Sequence, residues 1–179
     1  PGSPATISVT PARPMSLDEF RAALQVRSLY DTYDPSLPKA NEVIAGNGTV
    51  KLDAARADIG GSTAGLDDKN PPAVSGWEAV RDSATWLVRF DKAGKYGVAV
   101  EIACVPGEDG SHYGVSLAGN RLEAEVPAGK DWEDYMTKNI GTLEVPKPGV
   151  YPITVQGIAK KHKFVMNLRS VTLTPETSR

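Results

Sequence analysis

At 179 residues, 40% hydrophobic and 23% charged, the chain has the size of one domain with a short appendage, long enough to bury a core without metal or disulfide staples. A net charge of -2 gives no overall attraction for nucleic acid or an anionic membrane, and the single cysteine, Cys104, excludes an intrachain disulfide and a Cys-based zinc site. With 17 Gly and 14 Pro, turns are frequent enough to favour short strands in a sandwich or barrel.

Residues 1–48 read as an N-terminal arm and linker. Pro1-Gly2-Ser3 reads as an expression remnant and not as a signal peptide, so the leader of an exported protein would be missing from it. Pro4, Pro11, Pro14, Pro35 and Pro38 bracket one helical stretch. Ser16 and Glu19 have the S-x-x-E spacing of a capping box, and Leu17, Phe20, Ala23 and Leu24 fall on one face of a helix to about Ser28. Tyr30, Tyr33 and Leu37 continue as a turn-rich connector that would pack on the main domain or on a neighbouring one.

From Thr49 to the end the dominant period is two, which predicts about eight antiparallel strands. Tyr96, Val98, Val100, Ile102 and Cys104 alternate with small residues and should face the core, leaving Cys104 an inert buried thiol. Similar runs occur at 86–90, 112–117, 121–126, 140–145, 150–156 and 164–173, and Trp86 sits at a core position. Asp91 to Gly94 predicts a turn, and Ala118-Gly119-Asn120 a tight hairpin. In the last run Phe164, Met166 and Leu168 keep one phase while Val171 and Leu173 keep the other. A bulge over 167–170 must intervene, and bulges often border functional surfaces.

The collinear series Gly76-Trp77, Asp82, Trp86, Gly94 to Val98, Ser111 to Val115, Asp131-Trp132 with Tyr135, Ile140-Gly141, Gly149 to Val155 and Met166 to Leu173 resembles a galactose-binding-like β-sandwich module. It is similar to family-six carbohydrate-binding modules and to the C-terminal sandwich regions of bacterial α-L-fucosidases and sulfatases, over roughly Val50 to Pro175. The resemblance implies an all-β fold, an antiparallel β-sandwich of jelly-roll type. It also implies a loop-end cleft where two aromatic rings and an Asn hold a sugar, and it carries that role onto Trp77, Trp132 and Asn167. The chemistry is coherent, since a pyranose presents C–H bonds to a ring face and an Asn amide both donates to and accepts from hydroxyls. The structural calcium of that family is not supported, because Arg169 stands where an Asp is common and 52–56 lacks an acidic pair; Arg169 would pair with an acid such as Asp53.

Other residues weigh less. Lys160-Lys161-His162-Lys163 reads as a solvated loop that would otherwise contact an acidic glycan, while Asp67-Asp68 and Glu108-Asp109 read as solvated turns. Glu133 and Asp134, Glu78 and Asp82, and Ser111 beside His112 form no recognisable catalytic set, and HExxH, GxSxG and P-loop patterns are absent. No apolar run approaches the roughly 18 residues of a membrane span. The expectation is a non-enzymatic carbohydrate-binding module without cofactor, secreted or periplasmic, and part of a polysaccharide-degrading protein. The alternative is a ligand-free sandwich that packs on and stabilises a catalytic domain.

Overall fold

The computed structural model describes Ser16, residues 42–46 and residues 48–176. The chain divides into two compact units, Pro1–Leu37 and Pro38–Arg179. The helix expected from Ser16 to Ser28 lies, Ser16 aside, outside the described residues.

Twelve strands are described: β1 Glu42–Ala45, β2 Val50–Asp53, β3 Asp58–Gly60, β4 Gly65–Leu66, β5 Val74–Ser75, β6 Ser83–Phe90, β7 Gly94–Ala103, β8 His112–Leu117, β9 Asn120–Glu125, β10 Met136–Val145, β11 Gly149–Ala159 and β12 Asn167–Pro175. They form two six-stranded sheets. One runs β1-β6-β11-β8-β9 with β3 also on β6, the other β10-β7-β12-β5-β4 with β2 also on β12. The fold is a β-sandwich, as the alternating pattern requires.

The core is built by that alternation. Ala84, Trp86, Val88 and Phe90 of β6 face Tyr96, Val98, Val100 and Ile102 of β7, all at most 4% exposed. Burying each such side chain contributes about 1.5–3 kcal/mol. Trp86 also donates its indole N–H to the Asp53 carbonyl at 2.8 Å, so the polar edge of a buried ring is satisfied. Cys104 is buried, and desolvation, reinforced by Asp109 and Glu108, pushes its thiol up to about 11.

The architecture departs from the sequence reading in three places. First, β1 precedes Thr49 and runs parallel to β6, the others pairing antiparallel; Arg89 on β6 clamps the buried Glu42 carboxylate, and Arg56 donates to the Glu42 carbonyl at 3.2 Å. Second, β3, β4 and β5 are two or three residues long, too short to display a period, and are held by pairing: β3 on β6, β5 on β12 and β4 on β5. Third, the loop at 160–166, read as a hairpin loop between the last two strands, joins strands of different sheets; the predicted turn after Asp91 is present and also crosses between sheets. The predicted 118–120 hairpin is present: Leu117 pairs with Asn120, and Ala118 and Gly119 take φ of 50° and 84°, the left-handed values of a type I′ turn.

The predicted phase break is a β-bulge. Arg169 and Ser170 together oppose Glu101 of β7, so Leu168 and Val171 both reach the core. Asn167 and Arg169 remain half-buried beside it at the start of the strand.

Candidate loop-end cleft

Three loops meet at the end of the sandwich where β12 begins: 67–73 between β4 and β5, 126–135 between β9 and β10, and 160–166 between β11 and β12. Between them lies a cleft of about 480 Å³ whose walls include Trp132, Tyr135, Phe164, Asn167 and Arg169.

Each wall is held locally. Asp67 closes the first loop by accepting the backbone N–H of Ala73 at 2.9 Å and of Lys69 at 3.2 Å. Asp131 opens an Asx turn, accepting the N–H of Glu133 at 3.1 Å, and Trp132 sits inside that turn. The two loops are tied by Lys69 Nζ and Glu133 Oε1 at 2.7 Å, and Glu133 raises the Lys69 pKa. In the third loop the Phe164 N–H donates to Glu108 Oε2 at 2.9 Å. Its ring then meets Trp132 edge-on, with centroids 5.6 Å apart and planes at 82°.

The floor comes from the bulge. Asn167 donates Nδ2–H to the Trp132 carbonyl at 3.2 Å, which fixes the amide and joins two residues 35 positions apart. The Arg169 guanidinium lies 3.4 Å from the Tyr135 ring centroid, and its Nη1 is 3.6 Å from Glu101 Oε1. Glu101 Oε2 is engaged by the Ser170 hydroxyl at 2.8 Å and by Lys51 at 3.2 Å. The acid beside Arg169 is therefore Glu101, not Asp53, whose own pairing is with Lys51 at 3.7 Å. Burial pushes the Tyr135 phenol above its ordinary pKa, with the Arg169 charge opposing.

Two of the three residues singled out from sequence, Trp132 and Asn167, thus come together. Trp77 does not join them. Its carbonyl accepts the Val165 N–H at 2.8 Å, so its backbone is near this end, but the ring is 0% exposed in the core and offers no face to a ligand. Alternation could not reveal this, because Trp77 lies in a loop after a two-residue strand. Tyr135, Phe164 and Arg169 were missed as wall residues. The spacing of Trp132 to Tyr135 and the phase break at 167–170 were the signals for two of them.

The acid–base candidates have structural duties. Asp82 is buried, and its carboxylate accepts N–H groups from Ser62, Thr63 and Ala64 and the Thr63 hydroxyl. Burial alone would raise its pKa, but these donors hold it at about 2. Ser111 donates to the Phe164 carbonyl at 3.3 Å and accepts the Lys161 N–H at 3.2 Å. Glu78 pairs with Lys163 at 3.5 Å. Among the described residues no three His, Cys, Asp or Glu side chains gather to hold a metal ion, and no helix is long and apolar enough to cross a membrane. What the cleft offers is aromatic surface, an oriented amide and a fixed guanidinium, a set suited to holding a polar, ring-shaped molecule.

Known structures share this fold. The chain superposes on a C-terminal CBM6 of a marine laminarinase from Zobellia galactanivorans with a TM-score of 0.58 and 20% identity, covering 70% of this chain and 98% of that one. It matches the Podospora anserina GH26-CBM35 β-(1,4)-mannanase with a TM-score of 0.60 and 18% identity over 75% of this chain, but only 29% of the mannanase. The mosquito-larvicidal Cry4Aa toxin from Bacillus thuringiensis gives 0.62 at 10% identity, over 77% of this chain and 25% of the toxin. At these identities the likeness is one of fold, the galactose-binding-like β-sandwich. No curated protein matches the sequence. Residues 62–178, which span β4 to β12 and every wall of the cleft, match the family described as a domain of unknown function, DUF5077, and the chain belongs to that family.

Proposed function

We propose that this domain is a non-catalytic carbohydrate-binding module that holds a saccharide in the loop-end cleft. The observation that carries the reading is the meeting of Trp132 and Asn167, far apart in sequence, on one cleft with Tyr135 and Phe164. A sugar ring would lie on the aromatic surface, while the amide atoms of Asn167 that Trp132 does not occupy would bond its hydroxyls. The likeness to modules carried by a laminarinase and a mannanase supports the same reading, and with it a place in a larger, exported polysaccharide-degrading protein. The absence of hydrolysis is part of the proposal: Asp67 and Glu133, the carboxylates on the cleft wall, are bound to the Ala73 N–H and to Lys69.

Binding should be weak, because one ring offers limited apolar area and water competes for each hydroxyl. A Kd of roughly 10 µM to 1 mM corresponds to about 4–7 kcal/mol. A glycan array followed by calorimetry on its hits tests this. Binding that Trp132→Ala abolishes, without release of reducing ends, is the expected result. A broad screen with no hit would instead favour a sandwich that only packs on a catalytic domain.

A further inference from the structure

We propose that Arg169 makes the cleft selective for acidic saccharides, those bearing a carboxylate or a sulfate; this rests on the carbohydrate reading above and adds the ligand's charge to it. The guanidinium is half-buried, with its side chain 24% exposed, and lies over the Tyr135 ring, 3.4 Å from its centroid. Its position is therefore set before a ligand arrives, which lowers the entropic cost of binding. Its charge is poorly answered. Glu101, its ion-pair partner, spends Oε2 on Ser170 and Lys51, and its Oε1 stands 3.6 Å from Nη1, beyond ordinary hydrogen-bond range. Arg169 Nε is buried with no acceptor. The other carboxylates of the cleft are committed elsewhere, Glu133 to Lys69 at 2.7 Å and Asp67 to two backbone N–H groups. A planar guanidinium in this condition matches a carboxylate or sulfate, which can accept from two of its N–H groups at once.

The basic run at 160–163 points the same way. It leads directly into Phe164, and the Lys163 ammonium, paired with Glu78 at 3.5 Å, stands 4.8 Å from the ring centroid of that wall residue. A saccharide ring on Trp132 with its acid on Arg169 would lie within the field of this loop, and that attraction weakens with salt.

The test uses the whole chain in isothermal titration with uronate trisaccharides of the galacto, gluco and manno series, each beside its neutral methyl ester, and with 6-sulfated beside unsulfated galactobiose. At least one acid should bind ten-fold or more tighter than its neutral partner, with the ratio shrinking in 0.5 M NaCl. The pair that shows the preference tells carboxylate from sulfate. Arg169→Gln should bring that ratio near one, and Arg169→Lys should keep part of it. Equal affinity for every acid and its neutral partner overturns the proposal while leaving the carbohydrate reading intact, and so does a ratio that survives in Arg169→Gln. Failure of every sugar, acidic and neutral, at 10 mM would bring down both. The comparison of acid with ester on the unmutated chain decides the preference even if a variant fails to fold.

Discussion

Asp82 shows how one residue that looked like an acid–base candidate serves the loop it anchors. Its carboxylate gathers the N–H groups of Ser62, Thr63 and Ala64 and the Thr63 hydroxyl, and Gly61 is obligatory beside it: φ there is 127°, and a Cβ would collide with Oδ1. The native pKa, about 2, is below the ordinary 3.8. The stabilisation from this carboxylate is therefore complete above about pH 4 and is lost as pH falls through 2. Asp82→Asn should destabilise the fold by about 1–3 kcal/mol at pH 7, since an amide cannot accept from all four donors, and it should remove part of the acid limb of the stability curve. Urea denaturation of both proteins from pH 2 to 7 checks this, and equal midpoints at pH 7 would refute it. The tryptophans carry the converse lesson. Trp86, inside a strand, could be assigned to the core from its phase alone, whereas Trp77 and Trp132 lie in loops where phase carries no information. Both looked like ligand platforms; packing divided them, burying the first and leaving the second half-buried.

Strands β6 to β12 were legible because each is long enough to show alternation, and the bulge in β12 was legible as an error in that alternation. Deleting Ser170 should restore a regular inward set of Leu168, Val171 and Leu173, because Arg169 and Ser170 now share one partner on β7. The sandwich should survive with a loss of about 0.5–1.5 kcal/mol for the Ser170–Glu101 hydrogen bond. Saccharide binding should weaken, because Asn167 and Leu168 would keep their partners Ala103 and Ile102 while Arg169, left alone opposite Glu101, would lose the placement the bulge gives it. Circular dichroism with calorimetry reads both effects, and undiminished affinity would mean the bulge does not set the cleft floor. The β8–β9 hairpin gives a prediction of opposite sign. Ala118 holds φ of 50°, a region costly for a residue with a Cβ and better tolerated by Asn. Ala118→Asn should raise stability by about 0.5–1 kcal/mol, a Tm gain of roughly 1–4 °C in a scanning calorimeter. The elements that escaped sequence reading are the short ones, β3 to β5, and the parallel β1, four residues long, which buries Val43 and Ala45 and pairs with β6 where Arg89 meets Glu42.

At the scale of the whole sandwich, the two sheets hold distant loops together at one end, and the candidate binding residues sit on or beside those loops. That arrangement supplies a direct optical test. The chain has three tryptophans, of which Trp77 and Trp86 are at most 1% exposed while Trp132 alone is half-buried on the cleft. Iodide, a charged quencher that does not enter packed cores, should therefore quench only the Trp132 share of the emission. A bound saccharide lying on the Trp132 ring should abolish that quenching in a dose-dependent way, and Trp132→Ala should leave emission that iodide barely reaches and that saccharide does not alter. Because Trp132 also packs on Phe164 and against the core, its removal should lower stability modestly, by less than the roughly 3–5 kcal/mol that truncating a fully buried Trp costs. Trp77→Ala should show the reverse pattern, a large loss of stability with the iodide-accessible fraction retained in whatever remains folded. If saccharide binds yet the quenching of Trp132 is untouched, the sugar occupies another surface, and the cleft is not its site.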